Sequence, residues 1–164
     1  MKICVLTHIY PKFKGDLCAP FMEDICENLQ ALGHEVTVLM PHTPALNRKQ
    51  GDHTANLKTY KYIFPDCLHL LGYGRTLEVD IAFKKQVIFL SPFLFLFSFL
   101  SLWRLVRRDR PDIIHAHWVL PNGFIGALVA KITKVPLVIS IPGSDILVSE
   151  MNFIFKWMAR FAFT

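Results

Sequence analysis

The chain of 164 residues is poor in charge and poor in the signatures that assign a function at sight. Only 19% of its residues are charged and 52% are hydrophobic, a balance that excludes a disordered segment. No G-x-G-x-x-G follows the first apolar run, and no G-x-x-x-x-G-K-[ST] occurs anywhere, so neither a dinucleotide fingerprint nor a P-loop is present. The absence of a G-x-S-x-G elbow argues against a serine hydrolase. Cys4, Cys18, Cys26 and Cys67 form no C-x-x-C pair, and their spacing fits neither a zinc site nor a disulfide framework. Cys4 and Cys26 fall on apolar positions, where reduced buried thiols are ordinary, which reads as a reducing cytosolic compartment. The apolar run after Met1 is too short for a secretion signal. There are no internal repeats and no low-complexity segments.

What is present is alternation of strand and helix signals. The length suits one domain with a real core. Lys2–Thr7 reads as a strand buried on both faces. A loop follows from His8 to Ala19, and Pro20 takes the first helical position. Phe21, Ile25, Leu29 and Leu32 recur on one helical face, Gly33 ends the helix, and Glu35–Met40 is a second strand stopped by Pro41. Residues 42–56 read as loop, Leu57–Phe64 as a third strand, residues 65–78 as mostly loop, and Glu78–Phe89 admits a helix. Ser91 as N-cap and Pro92 at the first helical position predict a helix through Trp103, with Arg104, Arg107 and Arg108 complementing its C-terminal end. Pro92 to Trp103 is shorter than the ~20 residues that span a bilayer. Two roles fit it: a helix buried against the sheet, which its uniform apolarity favours, or a membrane-surface helix with arginines on anionic head groups.

The net charge is +5 and the pI near 9.1, which fits nucleic acid, an anionic membrane or phosphorylated ligands. The arginines of 104–110 sit beside one apolar helix without interleaved polar readers, which argues against nucleic acid.

Residues 111–145 carry the most information. They read as a strand over Ile113–Ala116, a helix over Pro121–Lys134 and a strand over Leu137–Ile141, with a final helix over Glu150–Phe163. The first strand runs out into His117-Trp118 and the second into Pro142-Gly143-Ser144-Asp145. In a doubly wound, mainly parallel sheet both ends fall on the carboxyl edge, beside the loop after the first strand, where ligands bind. Three segments then converge: His8–Ala19, His117–Gly123 and Pro142–Leu147. Gly15, Gly123 and Gly143 would let a ligand approach the backbone, and helix N-termini there favour phosphate. His117, nearer the edge than His115, is the better candidate for hydrogen bonding or proton transfer, whereas His115 reads as a satisfied structural histidine. Asp145 fits sugar hydroxyls or a helix cap equally well. No third ligand supports a zinc pair of His115 and His117.

At these residues the chain resembles the N-terminal domain of the family 4 glycosyltransferases, retaining enzymes of the GT-B architecture. The resemblance covers essentially the whole chain. It rests on Tyr10-Pro11-Lys12-Phe13-Lys14-Gly15-Asp16 with Ala19-Pro20-Phe21, on Leu32-Gly33-His34-Glu35-Val36-Thr37-Val38, on Arg110 to Trp118, and on Pro136-Leu137-Val138 to Gly143-Ser144-Asp145, in that order. It implies a Rossmann-like domain forming the first half of a two-domain fold. It also implies transfer of a sugar from a nucleotide-sugar, a substrate rather than a cofactor, to a glycan or lipid-linked acceptor without an obligatory metal. By that resemblance Gly15 and Asp16 line the donor–acceptor crevice, His117 contacts the reacting sugar, and Gly143, Ser144 and Asp145 shape the pocket floor. Where the family often carries a histidine before the last of these motifs, this chain has Pro142, so that histidine's role does not transfer. The second domain, with the main nucleotide-binding surface, is missing from the sequence. The expectation is a fragment, 1–164, inactive by itself. The alternative is a non-catalytic membrane-surface or regulatory subunit of a split transferase.

Overall fold

A computed structural model describes residues 1–48, 55–69, 71, 85–143 and 153–164. Strands β1 (Lys2–Leu6), β2 (Glu35–Pro41), β3 (Asn56–Tyr60), β4 (Ile113–His117) and β5 (Leu137–Ser140) form one sheet in the order β3-β2-β1-β4-β5. Every pairing is parallel. Helix α1 (Pro20–Ala31) joins β1 to β2, α2 (Lys85–Asp109) precedes β4, α3 (Phe124–Thr133) joins β4 to β5, and α4 (Phe153–Ala162) follows.

The period-2 pleat of the strands divides the core. Cys4, Leu6, Leu39 and Ile114 point to the face covered by α2 and α3, while Ile3, Val5, Val36, Val38 and Met40 point to the face covered by α1. Chain progression reverses between β1 and β4, so these two central strands flank the topological switch point. Close approach of α3 to the sheet depends on Gly126, where an added Cβ would lie 2.9 Å from Leu137 Cδ1.

Pro20 opens α1 as the sequence predicts, and Gly33, at φ 82°, closes it. The Gly33 amide donates to Gln30 O and the His34 amide to Leu29 O, the paired bonds of a Schellman ending. The buried face of α1 is rotated from the expected one: Met22 and Cys26 are buried, whereas Phe21 is 39% and Leu32 74% exposed. Met22 and Cys26 are small enough in cross-section to seat against β1 and β2, and Leu32 lies beyond the last helical residue.

The long helix departs further. It runs through residues 85–109, so Pro92 lies inside it rather than at its first turn. Its inner face buries Leu90, Leu94, Leu102, Leu105 and Val106, the core role favoured above. Residues 89–109, whose most apolar 18-residue window has a mean hydropathy of 1.8, are long and apolar enough to cross a membrane by length and composition alone. Strand β3 is shorter than expected, ending at Tyr60, and the part of Glu78–Phe89 before Lys85 lies outside the described residues.

Candidate functional site at the switch point

The carboxyl ends of β1 and β4 meet at a cluster of buried polar groups. Beyond β1, the Thr7 hydroxyl donates to Ile9 O at 2.7 Å, which turns the chain so that His8 is buried at the strand's end. Beyond β4, Trp118 adopts φ 70°, a region that costs a non-glycine residue about 1–3 kcal/mol. Both its backbone groups are bonded there: its amide donates to Ser140 O at 2.9 Å, and its carbonyl accepts from the Gly123 amide at 2.9 Å. The turn carries Asn122 back under the strand end. The Asn122 amino group donates to His117 O at 2.7 Å and lies 2.9 Å from His8 Nδ1, a bridge directly across the switch point.

Five aromatic rings line this seam. The His8 ring lies 4.7 Å from Trp118, His117 lies 4.3 Å from His115, and Phe21 at the start of α1 lies 6.0 Å from Trp118. Burial holds His8 neutral, with its pKa lowered to about 4. Burial, helped by the neighbouring His115, lowers His117 to about 4 as well. His115 donates to or accepts from the Ser140 hydroxyl at 2.8 Å, the satisfied structural role expected of it. His117 Nε2, by contrast, is buried without a hydrogen-bond partner among the described residues, as is Asn122 Oδ1. Buried polar atoms left unpaired in this way are uncommon, and each calls for a structural or functional account.

The glycine loop packs beside this cluster. Gly15 has φ 83°, and a Cβ added there would meet nothing within 4 Å, so its backbone faces open space. Asp16 turns its carboxylate inward: Oδ2 accepts from the Lys12 amide at 2.9 Å and Oδ1 from the Cys18 amide at 3.0 Å. The slight burial of Asp16 opposes its ionisation, but those two amides outweigh it and hold the carboxyl below its usual range. Asp16 thus shapes the loop. The loop is anchored to its neighbour by the Asn47 amide donating to Lys12 O at 2.9 Å, and the Arg48–Glu23 ion pair ties that neighbour to α1. Gly143 is also open, at φ 131°, whereas Gly123 is not: a Cβ there would press on Ile139 and Trp118 O at 3.3 Å, so its smallness serves packing. Ser144 and Asp145 lie outside the described residues. Burial pushes the Cys4 and Cys26 thiols up to about 12, which removes them as nucleophiles.

Of the residues singled out in the sequence, His117, Gly15 and Gly143 lie at or after the carboxyl ends of their strands, and His8 and Asn122, which were not singled out, form the bridge there. Each had a signal: His8 is the first titratable residue after the central strand, and Asn122 sits in the turn immediately beyond the other.

The glycosyl transferase 4-like domain matches residues 18–163, a span that begins after β1 and most of its loop. The chain belongs to that family. It is 29% identical over 152 residues to a Bacillus subtilis (strain 168) protein named as a putative teichuronic acid biosynthesis glycosyltransferase, TuaC, covering 89% of this chain and 37% of that one. Among solved structures, Acinetobacter baumannii MurG matches 97% of this chain at TM-score 0.56 and 14% identity. The glycosyltransferase SsfS6 of Streptomyces sp. SF2575, complexed with thymidine diphosphate, matches 86% at TM-score 0.50 and 15% identity. Both likenesses concern the fold, a Rossmann-like half of the GT-B architecture. The chain spans 37% of the curated relative and 38% of each solved one.

Proposed function

We propose, from family membership and the switch-point geometry together, that this chain supplies the acceptor-side half of a glycosyltransferase. The reaction moves a sugar from a nucleotide-sugar donor to a glycan or lipid-linked acceptor, with retention at the anomeric carbon and no obligatory metal. The observation that carries the reading is the buried, neutral His117, whose unpaired Nε2 lies at the switch point beside the His8–Asn122 bridge. A neutral imidazole can exchange hydrogen bonds with a sugar hydroxyl without adding charge to the pocket. Gly15 and Gly143 leave backbone open to a bulky ligand on either side. In this reading Ser144 and Asp145 complete the pocket floor.

A facing domain must bring the donor's nucleotide, so the 164-residue chain alone is expected to transfer no sugar. The test joins it to the continuation of its reading frame and assays transfer from a radiolabelled nucleotide-sugar. The His117→Ala change should lower kcat about 100-fold or more with KM nearly unmoved, as for loss of a group acting in the transition state. Unchanged kcat would remove His117 from the chemistry. Robust transfer by the isolated chain would overturn the half-enzyme reading, and loss of transfer on adding a chelator would overturn metal independence. A stop codon followed by a separate gene for the second domain would favour the split-transferase alternative.

A second property rests on its own observation. Along the outer side of α2, Phe89, Phe93, Leu96 and Phe97 are exposed, next to exposed Phe64, and the same helical stripe continues into Arg104, Arg107 and Arg108. Arg104 and Arg107 have no carboxylate partner among the described residues. An apolar stripe ending in three arginines, of which only Arg108 has a carboxylate partner among the described residues, fits an anionic membrane surface, where a lipid-linked acceptor would reside. Co-sedimentation with anionic vesicles tests this.

A further inference from the structure

We infer that Asn122 is a positioning residue: its amide fixes His8 as the tautomer protonated on Nε2, and so gives the β1 wall of the crevice a permanent hydrogen-bond donor for a ligand oxygen. The geometry leaves little freedom. A carbonyl oxygen only accepts, so the Asn122 atom 2.7 Å from His117 O is the amino nitrogen. Reversing the amide would set two carbonyl oxygens against each other. The amino group carries a second hydrogen, and His8 Nδ1 lies 2.9 Å away. An amino donor requires a lone pair at Nδ1, and a neutral imidazole has one ring proton, which therefore sits on Nε2. Nε2 lies across the ring from Asn122, on an imidazole flanked by Trp118 at 4.7 Å. The bond spans 114 residues of sequence and joins the two strands at which the sheet reverses, so the lock sets the relation between the two walls as well as the proton.

A donor fixed in this way serves a sugar hydroxyl or a phosphate oxygen, and this part alone rests on the sugar-transfer reading. The tautomer does not, because it can be read on the full chain with no ligand added. The experiment is long-range proton–nitrogen NMR of the 164-residue chain labelled at its histidine rings, with His8→Gln used to assign the His8 signals. The expected spectrum shows an unprotonated Nδ1 and a protonated Nε2 for His8, persisting as the pH is lowered from about 7 to about 5. In Asn122→Asp at about pH 7 the ionised side chain can only accept, so His8 must move its proton to Nδ1 or take up a second one, and the wild-type signature of a bare Nδ1 beside a protonated Nε2 is lost. A wild-type spectrum with the proton on Nδ1 overturns the inference, whether or not the variant folds. So does a folded Asn122→Asp protein that keeps the wild-type signature and titration. Neither result bears on transfer by the two-domain enzyme, so failure of the lock and failure of the proposed reaction are separable.

Discussion

Two regions of this molecule reverse the usual distribution of residues, and they do so in opposite directions. At the switch point His117 and Asn122 are each 1% exposed. On the outer side of α2, Phe89 is 68% and Leu96 52% exposed. Buried polar groups and exposed large apolar ones are the informative departures from the ordinary surface. Their energetics differ. The buried polar groups recover part of their desolvation cost through the bonds of Asn122 to His8 and His117. The exposed phenylalanines recover little inside the chain beyond the contact of Phe89 with Phe93, whose ring centroids lie 5.7 Å apart. A region whose cost is met in part internally, with specific polar atoms left over, is a built site. A region whose cost is unmet gains only from something outside.

The comparison breaks most readily with acid. His8 and His117 are held near 4 in the folded chain, against 6.5 for an unperturbed histidine. Their folded pKa values are depressed, so the unfolded chain binds more protons between those limits. The stability these neutral histidines contribute is complete above about pH 6.5 and is lost as pH falls towards 4. The loss is on the order of 3 kcal/mol for each histidine at the acid end. Denaturant unfolding at a series of pH values measures it, and a midpoint that does not move across this window would mean that the crevice histidines titrate freely. Next in size is the inner side of α2. Leu102 is fully buried against the sheet, so Leu102→Ala should cost about 2–5 kcal/mol in the same unfolding assay. A cost below about 1 kcal/mol, on the scale of a surface change, would mean that the helix does not pack against the sheet through this face.

The same contrast explains what the sequence could show. The sheet was legible because β1, β2, β4 and β5 are short apolar runs bounded by Pro, Gly and polar turns, and their parallel order follows from alternation with helices. Gly33 and Pro20 punctuate α1 unambiguously, but the helix face was misjudged by one position, since apolar residues occur at both Phe21 and Met22 and only packing selects between them. Pro92 misled because proline marks helix starts far more often than helix interiors. Here apolar residues on both sides carry the helix through it. The crevice was half legible. His117 shows itself at a strand end, but its partner Asn122 acts through a contact with His8 formed 114 residues away, which no local pattern reports. The outer face of α2 was not legible as a face at all, since Phe and Leu occupy every side of that segment and only tertiary burial separates inner from outer.

A smaller effect sharpens the crevice side. Asn122→Ala removes the donor to His117 O and to His8 Nδ1, which would cost about 1–3 kcal/mol if both acceptors stayed buried and unpaired. The change also removes Oδ1, itself buried without a hydrogen-bond partner among the described residues, so the loss should fall in the lower part of that range. Unfolding near pH 7 measures it. A neutral or stabilised variant would mean that the bridge across the switch point is made at no net gain.

The smallest expected change in stability belongs to the outer side of α2, and it is the one that decides what that side does. Phe89→Gln with Leu96→Gln replaces two exposed apolar side chains by a good helix former, so unfolding should shift by no more than about 0.5 kcal/mol for each. Phe95 and Phe99 are unsuitable for this purpose, because both pack against the core and their loss would confuse folding with docking. The wild-type chain should co-sediment with vesicles containing anionic lipid, and less so as salt screens Arg104 and Arg107. The double variant should lose that binding while unfolding as the wild type does. Arg104→Gln with Arg107→Gln should weaken binding to anionic vesicles and leave any residual binding to neutral ones unchanged. If the wild type stays in the supernatant with anionic vesicles, the exposed stripe has another occupant. If the double glutamine variant instead unfolds several kcal/mol more easily, Phe89 and Leu96 belong to the core after all, and the difference between the two regions disappears.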